Sequence, residues 1–415
     1  MNLPPALSVT ELEARIAQIS SDIALQQEVL KNLERKKSAD QRQLNAIRDP
    51  VARLPLEISS EIFLGCLTSQ RKPGAHVAPL LFLNICNAWT DIALSTPAMW
   101  DTIELYFPGA DCLRSWLPRA GKRMLTIALD RGLDHSVAAI LHQHATQLKH
   151  LTLREEVDDE LRTLAAAVES FPQLDNLIIG GLPDKYGDFE AFRSSAVLEL
   201  LRLTPNLVEL TFHSIQIEGF TGGKLVLSRL TSLKFGELSN ADRILMPLTT
   251  PALEKLVLHD ASIYFSLFLR RSSPPLDKLV LDYSDGGFDL GEVLIHVPPS
   301  VTHLELNSYT RSMASSFSGL ENLPFDSLQN LRTLIIKLPN SSNLEPSWYH
   351  ALLRFLSPRG TTIAHFDLFH YHSPPVVDGN LREGFRRLVD NGMQAWIGPE
   401  EHNYLPGWLQ QPNDQ

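Results

Sequence analysis

The feature that most constrains the fold is a short pattern, Leu-x-x-Leu-x-Leu, in which Ile, Val or Phe can replace a leucine. Its nine copies begin at Leu148, Leu174, Leu207, Leu230, Leu253, Leu276, Val301, Leu331 and Ile363. Four consecutive copies, from Leu207 to Leu276, are 23 residues apart, and the other intervals run from 25 to 33. Chance alone supplies roughly four such triplets in a leucine-rich chain, so the spacing is more informative than the count.

Several of these triplets follow the same kind of turn, such as Thr204-Pro205-Asn206 and Thr250-Pro251-Ala252. Proline there ends the preceding helix and leads into an extended segment. Helix-compatible stretches lie between the triplets. One short strand with one return segment in about 23–30 residues is the leucine-rich repeat unit.

Such units bury their apolar edges only against their neighbours, which predicts an α/β fold, a leucine-rich repeat solenoid, over residues 106–397. A helix at 380–389 and a strand at 393–397 are expected to cap it, and residues 398–415 are expected to form a loose tail. The alternative is a doubly wound α/β domain. Short strands and a regular period favour the solenoid, as does the lack of a Gly-rich phosphate loop after the first strand.

The amino-terminal region, residues 1–49, is predicted to be one long coiled-coil helix. Positions that alternate in steps of three and four run without interruption over residues 9–47, and proline and glycine are absent until Pro50. Polar residues at Gln26, Lys37 and Asp40 weaken this seam. Two interpretations remain open: a parallel homodimer through this helix, or a single amphipathic helix that lies back on its own chain.

Residues 50–105 carry apolar anchors that predict a small helical domain. Pro55 suits the first turn of a helix, and Ile58, Ile62 and Phe63 then form one apolar stripe. A second helix would carry Ile85, Trp89 and Ile92 at helical spacing. Pro97 opens a third turn, and Trp100 closes the domain.

This order of anchors resembles an F-box, the three-helix module that binds a Skp-type adaptor and, through it, a cullin. The resemblance implies a specificity subunit of an SCF-type ubiquitin ligase, which selects a target protein for ubiquitin-dependent degradation. It also implies two sets of residues. The adaptor surface would be Leu54, Pro55, Ile58, Ile62, Phe63 and Ile85, and the structural core would be Trp89, Ile92 and Trp100. The order of parts is similar to that of F-box proteins with leucine-rich repeats common in fungi.

The sequence departs from the family pattern at two places. Asn87 and Thr90 stand where many F-box proteins have basic residues, so a salt bridge to an acidic adaptor is not expected there. A polar insert at 68–79 separates the first two helices and is predicted to be a loop extension.

Residues between the buried leucines of each triplet point away from the core of a repeat array, which predicts a surface for the target protein. Its apolar centre would be Val257, Val280 and Ile335, surrounded by charged and polar groups. The predicted surface comprises Lys234, Val257, His259, Val280, Asp282, Glu305, Ile335 and Lys337.

The charge balance excludes some partners. A net charge of −11 and a pI of about 5.7 argue against a nucleic-acid or anionic-membrane partner, which usually requires a basic patch. The three cysteines have no metal-type spacing, and no stretch reaches the ~18 to 20 apolar residues of a membrane span. We therefore expect a soluble protein of the cytoplasm or nucleus.

Catalytic patterns are missing from the sequence. It contains no nucleophile elbow, phosphate-binding loop or paired Cys/His arrangement, and His365, His370 and His372 lack the companions of a zinc site. We expect no enzyme activity, cofactor or metal. The alternative function is a non-catalytic dimeric scaffold that binds proteins through its repeats without a ubiquitin link, and an enzyme with an unrecognised site ranks third.

Overall fold

The computed structural model describes most of the chain. The described ranges are 9–67, 73–106, 109–130, 132–154, 158–180, 191–213, 216–218, 223–236, 241–259, 263–283, 290–308, 323–324, 327–338, 346–370 and 378–410. Residues 68–72 of the predicted loop extension and His372 lie outside them.

The chain divides into two compact units. The first contains residues 1–104 and 115–123, and the second contains residues 105–114 and 124–415. Residues 115–123 therefore belong to the first unit, whereas the sequence assigned them to the repeat region.

The first unit is helical. Its long helix α1 runs Val9–Arg48, as the alternation in steps of three and four predicts. Two shorter helices follow, α2 (Leu56–Gly65) and α3 (Asn87–Leu94). Single turns of 3-10 helix connect and extend them at Val51–Arg53, Leu80–Asn84, Pro97–Met99 and Leu117–Ala120. Pro55 is the cap that precedes α2, and Pro97 opens its own turn, as expected for residues that lack an N–H.

A twelve-stranded parallel sheet dominates the rest of the fold. Its strands are β1 (Thr102–Leu105), β2 (Leu125–Asp130), β3 (Leu148–Arg154), β4 (Asn176–Gly180), β6 (Glu209–His213), β9 (Ser232–Phe235), β11 (Lys255–His259), β12 (Lys278–Tyr283), β13 (His303–Ser308), β14 (Thr333–Lys337), β15 (His365–Phe369) and β16 (Gln394–Gly398). Two small parallel pairs lie outside it: β5 (Ala191–Arg193) with β7 (Gln216–Glu218), and β8 (Leu225–Val226) with β10 (Leu248–Thr249).

Strand order in the large sheet follows chain order from one end to the other. A doubly wound sheet needs a point at which the order reverses, so this sheet is not doubly wound. The connections between its strands contain short helices, because parallel neighbours need a crossover. These helices are Ala110–Trp116, His135–Gln143, Asp158–Ala167, Ser194–Arg202, Ile263–Ser272, Leu290–Leu294, Pro346–Leu356 and Gly379–Asp390.

The middle leucine of each triplet stands in register with that of the next strand. We call this row the leucine ladder: Leu151, Leu177, Leu210, Leu233, Leu256, Leu279, Leu304, Leu334 and Phe366. Every member is at most 1% exposed. The nine predicted strands are confirmed, and their shared register explains why the spacing inside each triplet is constant.

The carboxyl end agrees with the sequence only in part. The predicted helix at 380–389 and strand at 393–397 are confirmed as Gly379–Asp390 and β16. The prediction of a loose tail is wrong up to Gln410, because Leu405–Gln410 forms a further helix. Leu405 and Trp408 are buried there, and the Trp408 ring lies 6.4 Å from that of Phe385.

Candidate protein-docking surface

An aromatic cluster closes the core of the short helices in the first unit. The ring of Phe63 lies 4.4 Å from that of Phe82 and 4.7 Å from that of Trp89. Phe82 and Trp89 meet edge to face at 5.7 Å, one of the geometries that aromatic quadrupoles favour. Phe63 and Phe82 are fully buried, so these rings fix the mutual positions of α2, α3 and the turn between them.

The polar edge of Trp89 is satisfied by Asp49, the residue that follows α1. The indole N–H donates to one carboxylate oxygen of Asp49, and the other oxygen accepts the Val51 backbone N–H at 2.9 Å. Trp89 is half-buried, and an indole N–H that is withdrawn from water needs such a partner, since leaving it without one costs free energy. Asp49 therefore ties the end of α1 to α3, a role that the sequence analysis missed.

Two hydroxyl groups of α2 add further ties within this unit. The Ser59 hydroxyl donates to the Val51 carbonyl at 3.1 Å, and the Ser60 and Thr96 hydroxyls share a hydrogen bond of 2.8 Å. Both serines face the inside, Ser59 completely. One face of α2 is thus fixed against its own chain.

A second aromatic pair completes the unit. The Trp100 indole donates to the Ala93 carbonyl at 2.8 Å, and the Trp116 indole donates to the Trp100 carbonyl at 2.9 Å. Their rings meet edge to face at 4.9 Å, and the Arg119 guanidinium lies 4.5 Å from the centre of the Trp100 ring. The core role predicted for Trp100 agrees with this burial, and so does that of Ile92.

Apolar residues at the start of α2 and along one of its sides are exposed. Leu54, Leu56, Ile58 and Ile62 are between 42% and 50% exposed, and Pro55 beside them is exposed too. We call these five residues the docking patch. Ile58 and Ile62 are four residues apart on α2 and therefore share one helix face. Neighbouring apolar side chains exposed in this way mark binding sites more often than isolated ones do.

The predicted adaptor surface needs one correction. Phe63 is only 1% exposed, because its ring forms the centre of the aromatic cluster. It supports the docking patch from below and is not available to a partner. Ile85 is half-buried, so it is less accessible than the docking patch and more accessible than Phe63.

Hydrogen bonds explain what Thr90 does in place of a basic residue. Its single hydroxyl proton is shared between the backbone carbonyls of Leu83 at 3.2 Å and Cys86 at 3.1 Å. The side chain is therefore used to close the start of α3. Asn87 at the same end of the helix is exposed.

The second unit presents another candidate surface, on the sheet face opposite the leucine ladder. The residues that follow the ladder leucines stand side by side on successive strands. This central row is Thr152, Ile178, Thr211, Lys234, Val257, Val280, Glu305, Ile335 and Asp367. The register is thus the one that the sequence predicts.

An ion-pair network lies at the middle of this face. Glu305 is 2.7 Å from the Lys337 ammonium and 3.6 Å from that of Lys278. Burial alone would raise the pKa of Glu305, but the hydrogen bond to Lys337 and the two positive charges outweigh it and hold the pKa below its ordinary value. Glu305 is therefore ionised and held between two strands.

The lysines on this face repel one another. Partial burial, followed by the positive charges of Lys234 and Lys278, lowers the pKa of Lys255. Glu209 and Glu305 oppose that shift in part. Lys234, Lys255, Lys278 and Lys337 outnumber Glu209 and Glu305 here. The excess of positive charge makes this part of the face a natural place for an acidic group of a partner.

Three residues of the predicted target surface are buried. Val280 and His259 are each 7% exposed, because the neighbouring strands cover the middle of the face, and Asp282 is equally buried. Asn307 donates to Asp282 at 2.7 Å, and the ring Nδ1 of His259 lies 4.0 Å from its other oxygen. The hydrogen bond between Asn307 and Asp282 links two adjacent strands.

The remaining predicted target residues are accessible. Val257, Ile335, Lys234 and Glu305 are half-buried, and Lys337 is exposed. Val257 and Ile335 are what remains of the predicted apolar centre. The lysines near Glu305 remain as its polar rim.

Across the described ranges, no group of three or more His, Cys, Asp or Glu side chains is placed to hold a metal ion. Within those same ranges, no helix combines the length and apolar character needed to cross a bilayer.

No family model matches the sequence, and no curated protein matches it. Among solved structures, a protein of Bacteroides fragilis from a structural genomics project is 16% identical, with a TM-score of 0.36. That match covers 62% of this chain and 66% of the other, so the chain spans just under two thirds of that protein.

Proposed function

We propose that this protein is a substrate-recognition subunit of an SCF-type ubiquitin ligase. In this proposal the short helices of the first unit form an F-box that binds a Skp-type adaptor. The second unit is a leucine-rich repeat solenoid that binds the target protein, in the cytoplasm or nucleus. Transfer of ubiquitin is left to the other subunits.

The observation that carries the proposal is the exposure of the docking patch over a closed core. Phe63, Phe82 and Trp89 already fill the interior, so the patch is not an incomplete core. Burial of apolar surface contributes about 25 cal/mol per Å², and a partner that covered these side chains would gain that free energy. This is how an adaptor-binding module is expected to be built.

The order of strands supports the solenoid. Each repeat supplies one strand, and each strand lies beside its sequence neighbours in the sheet. The leucine ladder is covered by these neighbours, as in an array whose units are stable only when stacked. The opposite face then presents Val257, Ile335 and the lysines around Glu305 to a target.

The second candidate is a non-catalytic dimeric scaffold without a ubiquitin link. The observation that favours it is α1, whose apolar seam is exposed along the helix. A coiled coil through α1 is compatible with both functions. Only the partner of the docking patch separates them.

Co-purification of the full-length chain with a purified Skp-type adaptor distinguishes the two proposals. We expect a stoichiometric complex that is lost when Leu54 and Pro55 are both replaced by polar residues, while the fold is retained. The ligase proposal would be rejected if the wild-type chain did not bind the adaptor, or if the double variant bound it as well as the wild type.

A further inference from the structure

Helix α1 has a mainly apolar seam, interrupted by Gln26, Lys37 and Asp40, that its own chain leaves exposed. The apolar members of the seam are Val9, Leu12, Ile16, Ile19, Ile23, Leu30, Leu33, Leu44 and Ile47, and all of them are at least 40% exposed. The interpretation in which the helix lies back on its own chain with a covered seam is therefore wrong. Soluble proteins seldom expose so long a row of apolar side chains, which indicates a partner.

We propose that this partner is α1 of a second copy of the chain, and that the two helices run antiparallel with residue 28 at the centre. This inference does not rest on the ligase proposal. It concerns the direction of the pair, which the apolar spacing alone leaves undecided.

A parallel pair in register brings each seam residue against its own copy. Lys37 would meet Lys37 and Asp40 would meet Asp40 in successive layers of the seam. Like charges held at such positions repel each other. At the flanking positions, Asp22 would face Gln27 and Lys36 would face Gln41, so no ion pair would compensate.

The antiparallel pair removes both conflicts. With residue 28 at the centre, Lys37 lies opposite Ile19 and Asp40 lies opposite Ile16. The stem of Lys37 is long enough to pack on Ile19 while its ammonium reaches water. Asp40 has a short side chain, but it no longer faces a second carboxylate.

The flanking residues are complementary only in this direction. Asp22 of each copy faces Lys36 of the other, which gives two opposite-charge pairs. Val29 lies on the same flank of the seam, seven residues from both Asp22 and Lys36, and therefore faces its own copy. This exposed apolar residue is then also covered.

The length of the helix fits the same centre. α1 spans Val9–Arg48, whose midpoint falls between residues 28 and 29. All seam positions then find a partner across the pair. They match as 9 with 47, 12 with 44, 16 with 40, 19 with 37, 23 with 33 and 26 with 30.

Disulfide trapping tests the direction in the full-length chain. In a Cys66→Ser background, which removes the exposed native thiol, Val9→Cys and Ile47→Cys are made as separate variants. We expect a cross-linked dimer only when the two variants are mixed. Cross-linking of either variant with itself would show a parallel pair, and a monomer mass in light scattering at micromolar concentration would remove the dimer altogether.

A charge exchange tests the proposed ion pairs. Asp22→Lys is expected to weaken dimerisation roughly tenfold, because both pairs become repulsive, and adding Lys36→Asp is expected to restore it. Glu28→Lys makes the same change of charge away from the seam, and it should have little effect. If the double variant were no stronger than Asp22→Lys alone, the antiparallel arrangement would be rejected.

Discussion

The two units use apolar side chains in opposite ways. In the second unit the leucine ladder is buried by the neighbouring strands of the same chain, whereas the first unit leaves the docking patch and the α1 seam exposed. The difference arises from the period of the pattern. Strands repeated in register bury one another's apolar side chains, whereas an apolar stripe on the outside of a helix stays exposed unless another surface packs on it. The contrast separates residues that hold the fold from exposed residues that we propose bind a partner.

The largest effect is expected from Trp100→Ala. The side chain is fully buried between Trp116 and the Ala93 carbonyl, so its removal leaves a cavity and costs about 3–5 kcal/mol of the free energy of unfolding. Urea denaturation followed by tryptophan fluorescence measures this loss. A change below about 1 kcal/mol would contradict the description of this core.

In the second unit, Leu256→Ala is expected to cost about 2–4 kcal/mol, because Leu256 is fully buried in the middle of the leucine ladder. Urea unfolding followed by far-UV circular dichroism measures it. Val226→Ala serves as the control, since Val226 is 60% exposed and should change stability by no more than about 0.5 kcal/mol. Equal losses in the two variants would mean that the ladder is not the core.

The tie between α1 and α3 should have an intermediate effect. Asp49→Ala removes the acceptor of the Trp89 indole and of the Val51 N–H, which is expected to cost about 1–3 kcal/mol in thermal or urea unfolding. Asp49→Asn keeps one acceptor oxygen and should retain part of that stability. If the asparagine variant were the less stable of the two, the hydrogen bonds would not explain the role of Asp49.

A smaller effect is expected on the stability of the folded chain at acidic pH. The pKa of Glu305 is lower in the folded chain than its ordinary value, so its contribution is present above the unfolded-state pKa. That contribution is lost as the pH falls through the folded-state pKa. Lys337→Met removes the nearest cation, and we expect the acid-induced loss of unfolding free energy between about pH 6 and about pH 3 to shrink by less than about 1 kcal/mol. An unchanged or larger loss would contradict the ion-pair network.

Much of the sheet could be predicted from the sequence, because every ladder leucine occupies the same place in its triplet. Strand β2 was missed, since Leu125, Ile127 and Leu129 alternate strictly and lack the leading leucine three residues earlier. The pairs of two or three residues outside the large sheet leave no periodic signal at all.

For the candidate sites, the sequence did not predict which residues are buried and which are accessible. Spacing placed Phe63 on the same stripe as Ile58 and Ile62, but it cannot tell which edge of a stripe faces the core. Register placed Val280 on the correct face of the sheet, and only its neighbours on both sides decide that it is buried. Asp49 follows a helix in a position without a pattern, so its bond to Trp89 became apparent only from the structure.

Two isoleucines of nearly equal exposure allow the most direct test of whether the docking patch binds an adaptor. Ile58 in the docking patch is 50% exposed, and Ile295 in the second unit is 51% exposed. Both changes to aspartate are expected to alter the unfolding free energy by no more than about 0.5 kcal/mol. In a titration of each full-length variant with a Skp-type adaptor, we predict that Ile58→Asp abolishes binding and Ile295→Asp leaves it unchanged. Equal binding by both variants would contradict the assignment of the docking patch.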